Sequence, residues 1–259
     1  MPKAYQHIKF TIDNRVARIT FTRPPLNIFN IAMMREIGGA LDECISSHNL
    51  AAVVFAATAG SKAFSSGVAI EEHVEETVYQ MLDSFHAIFH SLEQLARPTI
   101  AVVDGLALGG GCELVAACDI VIASDRSLFG QPEIKLGVFP PIAAILLPRI
   151  IGEKRARELI LTGELIDGPA ALQLGLVNYV LPVGELAQKT DDILEKLRDL
   201  SAPALEMARR AMDLGRGLSF DSTLASIENL YLHELMKTDD AVEGVKAFME
   251  KRKPKWRHR

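Results

Sequence analysis

Cysteine is scarce: Cys44, Cys112 and Cys118 are the only three in 259 residues. Their number is odd, and no CxxC or Cys/His pair stands at metal-ligand spacing, so neither a disulfide framework nor a zinc site is expected. His86 and His90 are spaced i, i+4, which suits a metal, but no third ligand or HExxH context accompanies them. No apolar run approaches the ~18 residues of a membrane span, and no charged-apolar-small leader opens at Met1. The expectation is a cytoplasmic protein without a membrane partner. Positive charge is not in surplus either. Lys and Arg number 28 against 33 Asp and Glu, a net charge of −5, which argues against a broad nucleic-acid-binding face. A P-loop, a GxSxG elbow and a GxGxxG fingerprint are all missing.

What is present is ordinary globular material, 49% apolar and 24% charged, which excludes disorder, collagen and coiled coil. A chain of this size buries roughly 70–75% of its unfolded surface and builds its own core. Ile8, Phe10 and Ile12 alternate with polar residues, Asp13-Asn14 turns, and Ala17, Ile19 and Phe21 alternate again, which predicts a β-hairpin with one wetted face. Met34, Ile37, Leu41 and Ile45 fall at helical spacing. Residues 51–57 form a continuous apolar run, as in a strand covered on both faces. Residues 78–95 make a long amphipathic helix. Further buried strands are read at 99–103 and 119–123. From Ile142 onward the pattern is helical except for one short strand near 177–181, and residues 203–249 read as helices alone. The fold class is therefore α/β, with a β/α core over residues 1–200 and a helical C-terminal subdomain over 201–259.

Three segments can carry chemistry. Leu108-Gly109-Gly110-Gly111-Cys112-Glu113 follows a buried strand and opens a helix. Glycines there permit close approach to backbone, and the free N–H groups of a helix start can hold a developing oxyanion. The same residues also fit a tight turn. Phe129-Gly130-Gln131-Pro132-Glu133 places a carboxylate among apolar neighbours, where desolvation raises its pKa towards acid/base use; a loop carboxylate bonded to backbone amides is the plainer reading. Lys62 to Gly67 reads by itself as a turn closing a loop. Six of the 28 basic residues lie in the last nine positions, which suits either an anionic ligand or a solvated end.

In this order the segments resemble the crotonase (enoyl-CoA hydratase/isomerase) superfamily, through Ala107 to Leu114 and Phe129 to Ile134, with Arg23-Pro24, Leu26-Asn27, Leu161-Thr162-Gly163 and Phe248 to Lys253 in support. The resemblance implies a spiral of ββα units forming two roughly perpendicular sheets, and C-terminal helices that cover the site or mediate trimer contacts. It implies an acyl-CoA thioester substrate, a homotrimer or homohexamer, and no cofactor beyond the coenzyme A of the substrate. By the same resemblance Glu113 and Glu133 are the catalytic carboxylates. The backbone amides of Ser66 and Gly110 form the oxyanion hole. Leu26, Ala63, Ser66, Gly67, Val68, Ala69, Gly109, Gly110, Phe248 and Lys251 bind substrate or CoA. Two departures stand out: Val68-Ala69 where the family has Ala-Asp, and Pro141-Ile142-Ala143-Ala144 where it commonly has Gly-Ala-Gly-Gly. With Gly67 to His73 and Tyr231 to Met236, they resemble the cyclohexa-1,5-diene-1-carbonyl-CoA hydratases. That narrower likeness implies 1,4-addition of water to a cyclic dienoyl thioester. An ordinary enoyl-CoA hydratase acting on linear chains is the nearest rival. A non-catalytic or RNA-binding relative fits less well with the acidic body and two intact glutamates.

Overall fold

The structure, a computed structural model, describes residues 5–215 and 219–259; residues 216–218, inside the stretch read as helices, lie outside it. Among the described residues the strands are β1 (Ile8–Asp13), β2 (Val16–Phe21), β3 (Ala52–Ala57), β4 (Ala63–Ser65), β5 (Thr99–Val103), β6 (Leu106–Leu108), β7 (Ile120–Ser124), β8 (Leu128–Gly130), β9 (Leu165–Asp167) and β10 (Tyr179–Leu181). The helices are α1 (Ile31–Ile45), α2 (Val78–Leu95), α3 (Gly110–Ala117), α4 (Pro141–Ile150), α5 (Glu153–Thr162), α6 (Gly168–Leu174), α7 (Leu186–Arg198), α8 (Ala202–Leu214), α9 (Phe220–His233) and α10 (Asp239–Met249).

The large sheet runs β1-β2-β3-β5-β7-β10. β1 and β2 form the expected hairpin, Ile8 opposite Phe21, with Asn14 and Arg15 at positive φ in the two-residue turn. The other pairings in this sheet are parallel. Its inner strands are apolar on both faces because both are covered. Ile19, Val53, Phe55, Ala101 and Val121 join α1, α2 and α3 in the main core, whereas Val16, Val54, Ile100 and Ile122 pack on Leu186, Ile193 and Leu194 of α7.

A second sheet, β4-β6-β8-β9, is the one the family resemblance implies, but its strands escape the residue pattern, which takes residues 62–67 for a plain turn and shows no strand at 165–167. Each of its strands has three residues, too few for an alternating pattern to show. It gives the chain its repeating unit: β3-β4-α2, then β5-β6-α3, then β7-β8-α4, each pairing one strand from each sheet with a helix. The repeat places the ends of β4, β6 and β8 side by side, with Ser65 beside Ala107 and Leu108 beside Gly130. Each of the three glycine-bearing segments starts from one of these ends.

The basic tail is not a loose arm. Trp256 Nε1 donates to the Asp199 carbonyl at 2.7 Å, Arg252 pairs with Glu243 and Glu250, Arg259 pairs with Asp239, and the amides of Arg257 and His258 donate to the buried Asp240. Much of its charge is matched by acids of α10 rather than held out for a ligand.

Candidate active site

Residues 66–69 leave β4 and run beside residues 26–29. The Ser66 amide donates to the Leu26 carbonyl at 3.0 Å and the Ala69 amide to the Phe29 carbonyl at 2.9 Å, while the Gly67 amide reaches Ser65 Oγ at 3.2 Å. Val68 N–H alone in this stretch has no acceptor. This corrects the sequence assignment of the first oxyanion donor. The Ser66 amide is consumed by its neighbouring strand, and the free donor two residues on is Val68. The Gly110 amide, expected as the second donor, is left without a backbone acceptor. Gly109 takes φ 51°, ψ −127°, a conformation that β-carbons resist, and so ends β6 and starts α3. Gly110, the first residue of α3, carries one of the orphan amides of a helix start. The two donors are neighbours: a β-carbon on Gly110 would fall 2.9 Å from Val68 Cγ2, and one on Gly67 would fall 3.5 Å from Gly110 N.

Glu113 lies one turn further along α3 and is 2% exposed. Its Oε1 accepts from the Ala143 amide at 2.8 Å. The first turn of α4 therefore anchors this carboxylate, a role the sequence does not announce for Ala143. Pro140 and Pro141, just before, line the cavity. Burial dominates the Glu113 equilibrium and pushes its pKa up to about 8, with the Glu133 charge adding to the rise. Glu133 sits in the 3-10 helix Pro132–Leu136 that follows β8. It packs against Gly109 so closely that a β-carbon there would lie 2.6 Å from Glu133 Oε1. Burial pushes its pKa up to about 7. The fully buried Gln131, in the amide orientation that satisfies its neighbours, donates to both Glu133 oxygens at 3.3 Å.

Glu113, Glu133, Gly110 and Val68 line one cavity of about 360 Å³. Ser66, Gly67 and Gly109 line it too. Its apolar wall comes from Met81, Leu82 and Phe85 of α2 and from Val138 and Phe139, all of them absent from the sequence-based list. The α2 residues are legible in the sequence only as the apolar stripe of a helix. Leu26, Ala63 and Ala69 stand behind the wall: Leu26 holds Ser66, the Ala63 carbonyl accepts from Asn27 Nδ2 at 2.8 Å, and Ala69 is buried. Phe248, 86% exposed on α10, and Lys251 lie outside the cavity of this chain. Among the described residues no group of three or more His, Cys, Asp or Glu is placed to hold a metal, and no helix is long and apolar enough to cross a membrane. His86 has a buried Nε2 without a partner, and burial lowers its pKa; His90 is exposed.

Two carboxyls whose pKa values are both raised towards neutrality can divide acid and base roles between them. Below about 7 both are protonated and no base remains; above about 8 both are ionised and no acid remains. For chemistry that needs one acid and one base, the expected kcat/KM profile is a bell between these limits. A profile flat from pH 6 to 9 would show that the two carboxyls do not share the acid and base roles.

A two-sheet ββα repeat that sets paired carboxylates against two unpaired amides belongs to the class of folds that stabilise an oxyanion while moving protons. The comparisons with known proteins make the class specific. Residues 11–259 match the family model described as enoyl-CoA hydratase/isomerase. A "probable enoyl-CoA hydratase" of Mycobacterium tuberculosis is 38% identical over 98% of this chain and 99% of that protein. The cyclohexa-1,5-dienecarbonyl-CoA hydratase of Thauera aromatica is 37% identical over 95% of each. The crystal structure of enoyl-CoA hydratase from Bacillus anthracis superposes with a TM-score of 0.91 at 32% identity, covering 98% of this chain and 100% of that one. The chain belongs to the enoyl-CoA hydratase/isomerase family, the crotonase superfamily.

Proposed function

We propose that this hydro-lyase adds water to a conjugated acyl-CoA thioester, and that its preferred acyl group is cyclohexa-1,5-diene-1-carbonyl. The observation that carries the hydratase reading is the pairing of buried Glu113 and half-buried Glu133 with the free amides of Val68 and Gly110 in one cavity. The thioester oxygen accepts from both amides. One carboxylate takes a proton from water as the water oxygen bonds to the β-carbon, and the carbon π pair moves onto the thioester oxygen, where the amides hold it. The enolate then takes up a proton, which the second carboxyl supplies when it goes to the carbon next to the thioester. Overall, water is added and nothing is oxidised, so the proposed reaction needs no redox cofactor.

The cyclic substrate is supported by the wall. Phe85, Met81, Val138 and Phe139 are broad and apolar, and Pro140-Pro141 stiffen the rim where a long chain would thread. The relative named for this substrate and the one named simply as a hydratase differ by one percentage point of identity, so hydration of linear enoyl-CoA is the second reading. With the diene, hydroxyl adds at the β-carbon and the proton at the far end, giving 6-hydroxycyclohex-1-ene-1-carbonyl-CoA. A panel of cyclic and linear enoyl-CoA esters decides between the two. We expect kcat/KM for the diene to exceed that for crotonyl-CoA by more than the ~10–200-fold that apolar fit alone supplies. Equal or better hydration of crotonyl-CoA would give the activity to linear substrates.

The same reading includes a homotrimer or homohexamer. Phe220, Tyr231 and Leu232 on α9 and Phe248 and Met249 on α10 are exposed apolar side chains in need of cover. CoA contacts by Phe248 and Lys251 require α10 to approach a neighbouring chain's cavity, an arrangement such an assembly supplies.

A further inference from the structure

The cavity wall carries a histidine, His73, to which the water-adding machinery gives no task. It shares the cavity lining with the apolar side chains of Ile70, Val78, Met81 and Leu82. Its ring is held: Nδ1 lies 2.9 Å from the Ala69 carbonyl oxygen. A carbonyl only accepts, so Nδ1 carries the hydrogen of this bond and Nε2 is the ring nitrogen left available to a ligand. The backbone beneath is clamped as well. His73 follows the 3-10 turn Ile70–Glu72, and its amide donates to the Ile70 carbonyl at 3.0 Å. The Glu72 carboxylate accepts from Ile31 N at 2.9 and 3.1 Å, Thr77 Oγ1 donates to the Glu72 carbonyl at 3.0 Å, and Ala69 N donates to the Phe29 carbonyl. Such support fixes a side chain to within the tolerance that proton transfer requires.

The diene creates the task. In a linear enoyl thioester the hydroxyl and the proton go to adjacent carbons. In the 1,4-addition they go to carbons on opposite corners of the six-membered ring. Glu113 and Glu133 are both placed by the Gly109–Gly110 end of the cavity, one on α3 and the other packed on Gly109. His73 stands on a wall built from other elements, the turn after β4 and the start of α2.

We propose that His73 is the general acid that protonates the far ring carbon, a role that rests on the cyclic-diene reading. After hydroxide has bonded to the β-carbon, the dienolate oxygen is held by Val68 and Gly110. The Nε2–H bond of the His73 imidazolium breaks and its proton bonds to the far carbon. The dienolate pair collapses to a new ring double bond at the α-carbon and restores the thioester carbonyl. Neutral His73 keeps its Nδ1–H on Ala69. The carboxyl that took the proton from water releases it to solvent, and the imidazole takes one up, so the net change is one water added.

The test measures kcat and KM for the diene ester and for crotonyl-CoA with wild type, His73→Ala and His73→Gln, with and without added imidazole. Expected is a drop in kcat for the diene of about 10²-fold or more in both variants, KM moving little, and a drop of at least about tenfold in the diene-to-crotonyl ratio. Imidazole should restore diene turnover to His73→Ala. His73→Gln keeps a donor for the Ala69 carbonyl and guards against a folding failure of the alanine variant. Equal losses on both substrates without imidazole rescue would reduce His73 to a wall residue. A wild type that hydrates crotonyl-CoA and not the diene would overturn the substrate reading itself, and this role with it.

Discussion

Glu133→Gln lowers kcat by about 10²–10⁴-fold while acyl-CoA binding stays near wild type: this is the expected result of removing a general acid/base without changing shape. Glu133 is isosteric with its replacement, and its contacts to Gly109 and Gln131 are compatible with an amide. Glu113→Gln should lose as much, because its carboxyl is the other half of the acid/base pair. The double variant should be little worse than either single one, since both groups serve one transition state. A second signature separates catalysis from damage. Both pKa values are raised in the folded chain, so between the ordinary carboxylate range and about pH 8 the folded state binds more protons than the unfolded one. Stability then falls as pH rises through that window. Removing either charge relieves the penalty, so each glutamine variant should be as stable as wild type near pH 4 and more stable at pH 8.5. Stopped-flow hydration and thermal unfolding at the two pH values test this together. Near-wild-type turnover in either variant would take that carboxyl out of the mechanism.

How far the sequence reaches depends on the length of the feature. Strands of five or six residues in the large sheet show as apolar runs, and α2 shows over its full span from Val78 to Leu95 because eighteen residues carry a clear helical period. The second sheet does not show, since three residues such as Ala63–Ser65 have no period to read. The glycines of 109–111 are legible as a site because a helix start after a strand has its own chemistry. Which amide before them is free is not, because that is settled by pairing with residues 26–29, about forty positions upstream. For the same reason the sequence shows the charge of the tail but not its partners on α10, and shows Pro141 to Ala143 as bulk but not the amide bond to Glu113.

Gly110→Val should cost about 10²–10³-fold in kcat, the usual consequence of disabling one oxyanion donor. A β-carbon at Gly110 meets Phe85 Cζ at 2.9 Å and Val68 Cγ2 at 2.9 Å. Both are side-chain ends, able to give way, so the fold should survive. What gives way is the part that matters, because Val68 carries the other free amide and Phe85 forms the wall beside it. One substitution therefore disturbs both donors at once, and Gly110→Ala should show the same effect in smaller measure. The control is Gly38→Ala in α1, where a β-carbon meets nothing within 4 Å. It should leave turnover unchanged and raise stability by roughly 1 kcal/mol, the propensity gain of alanine over glycine inside a helix. Thermal unfolding separates this change from the one at Gly110. If Gly110→Val turns over at the wild-type rate, no oxyanion is held at the start of α3, and the thioester oxygen must find its donors elsewhere.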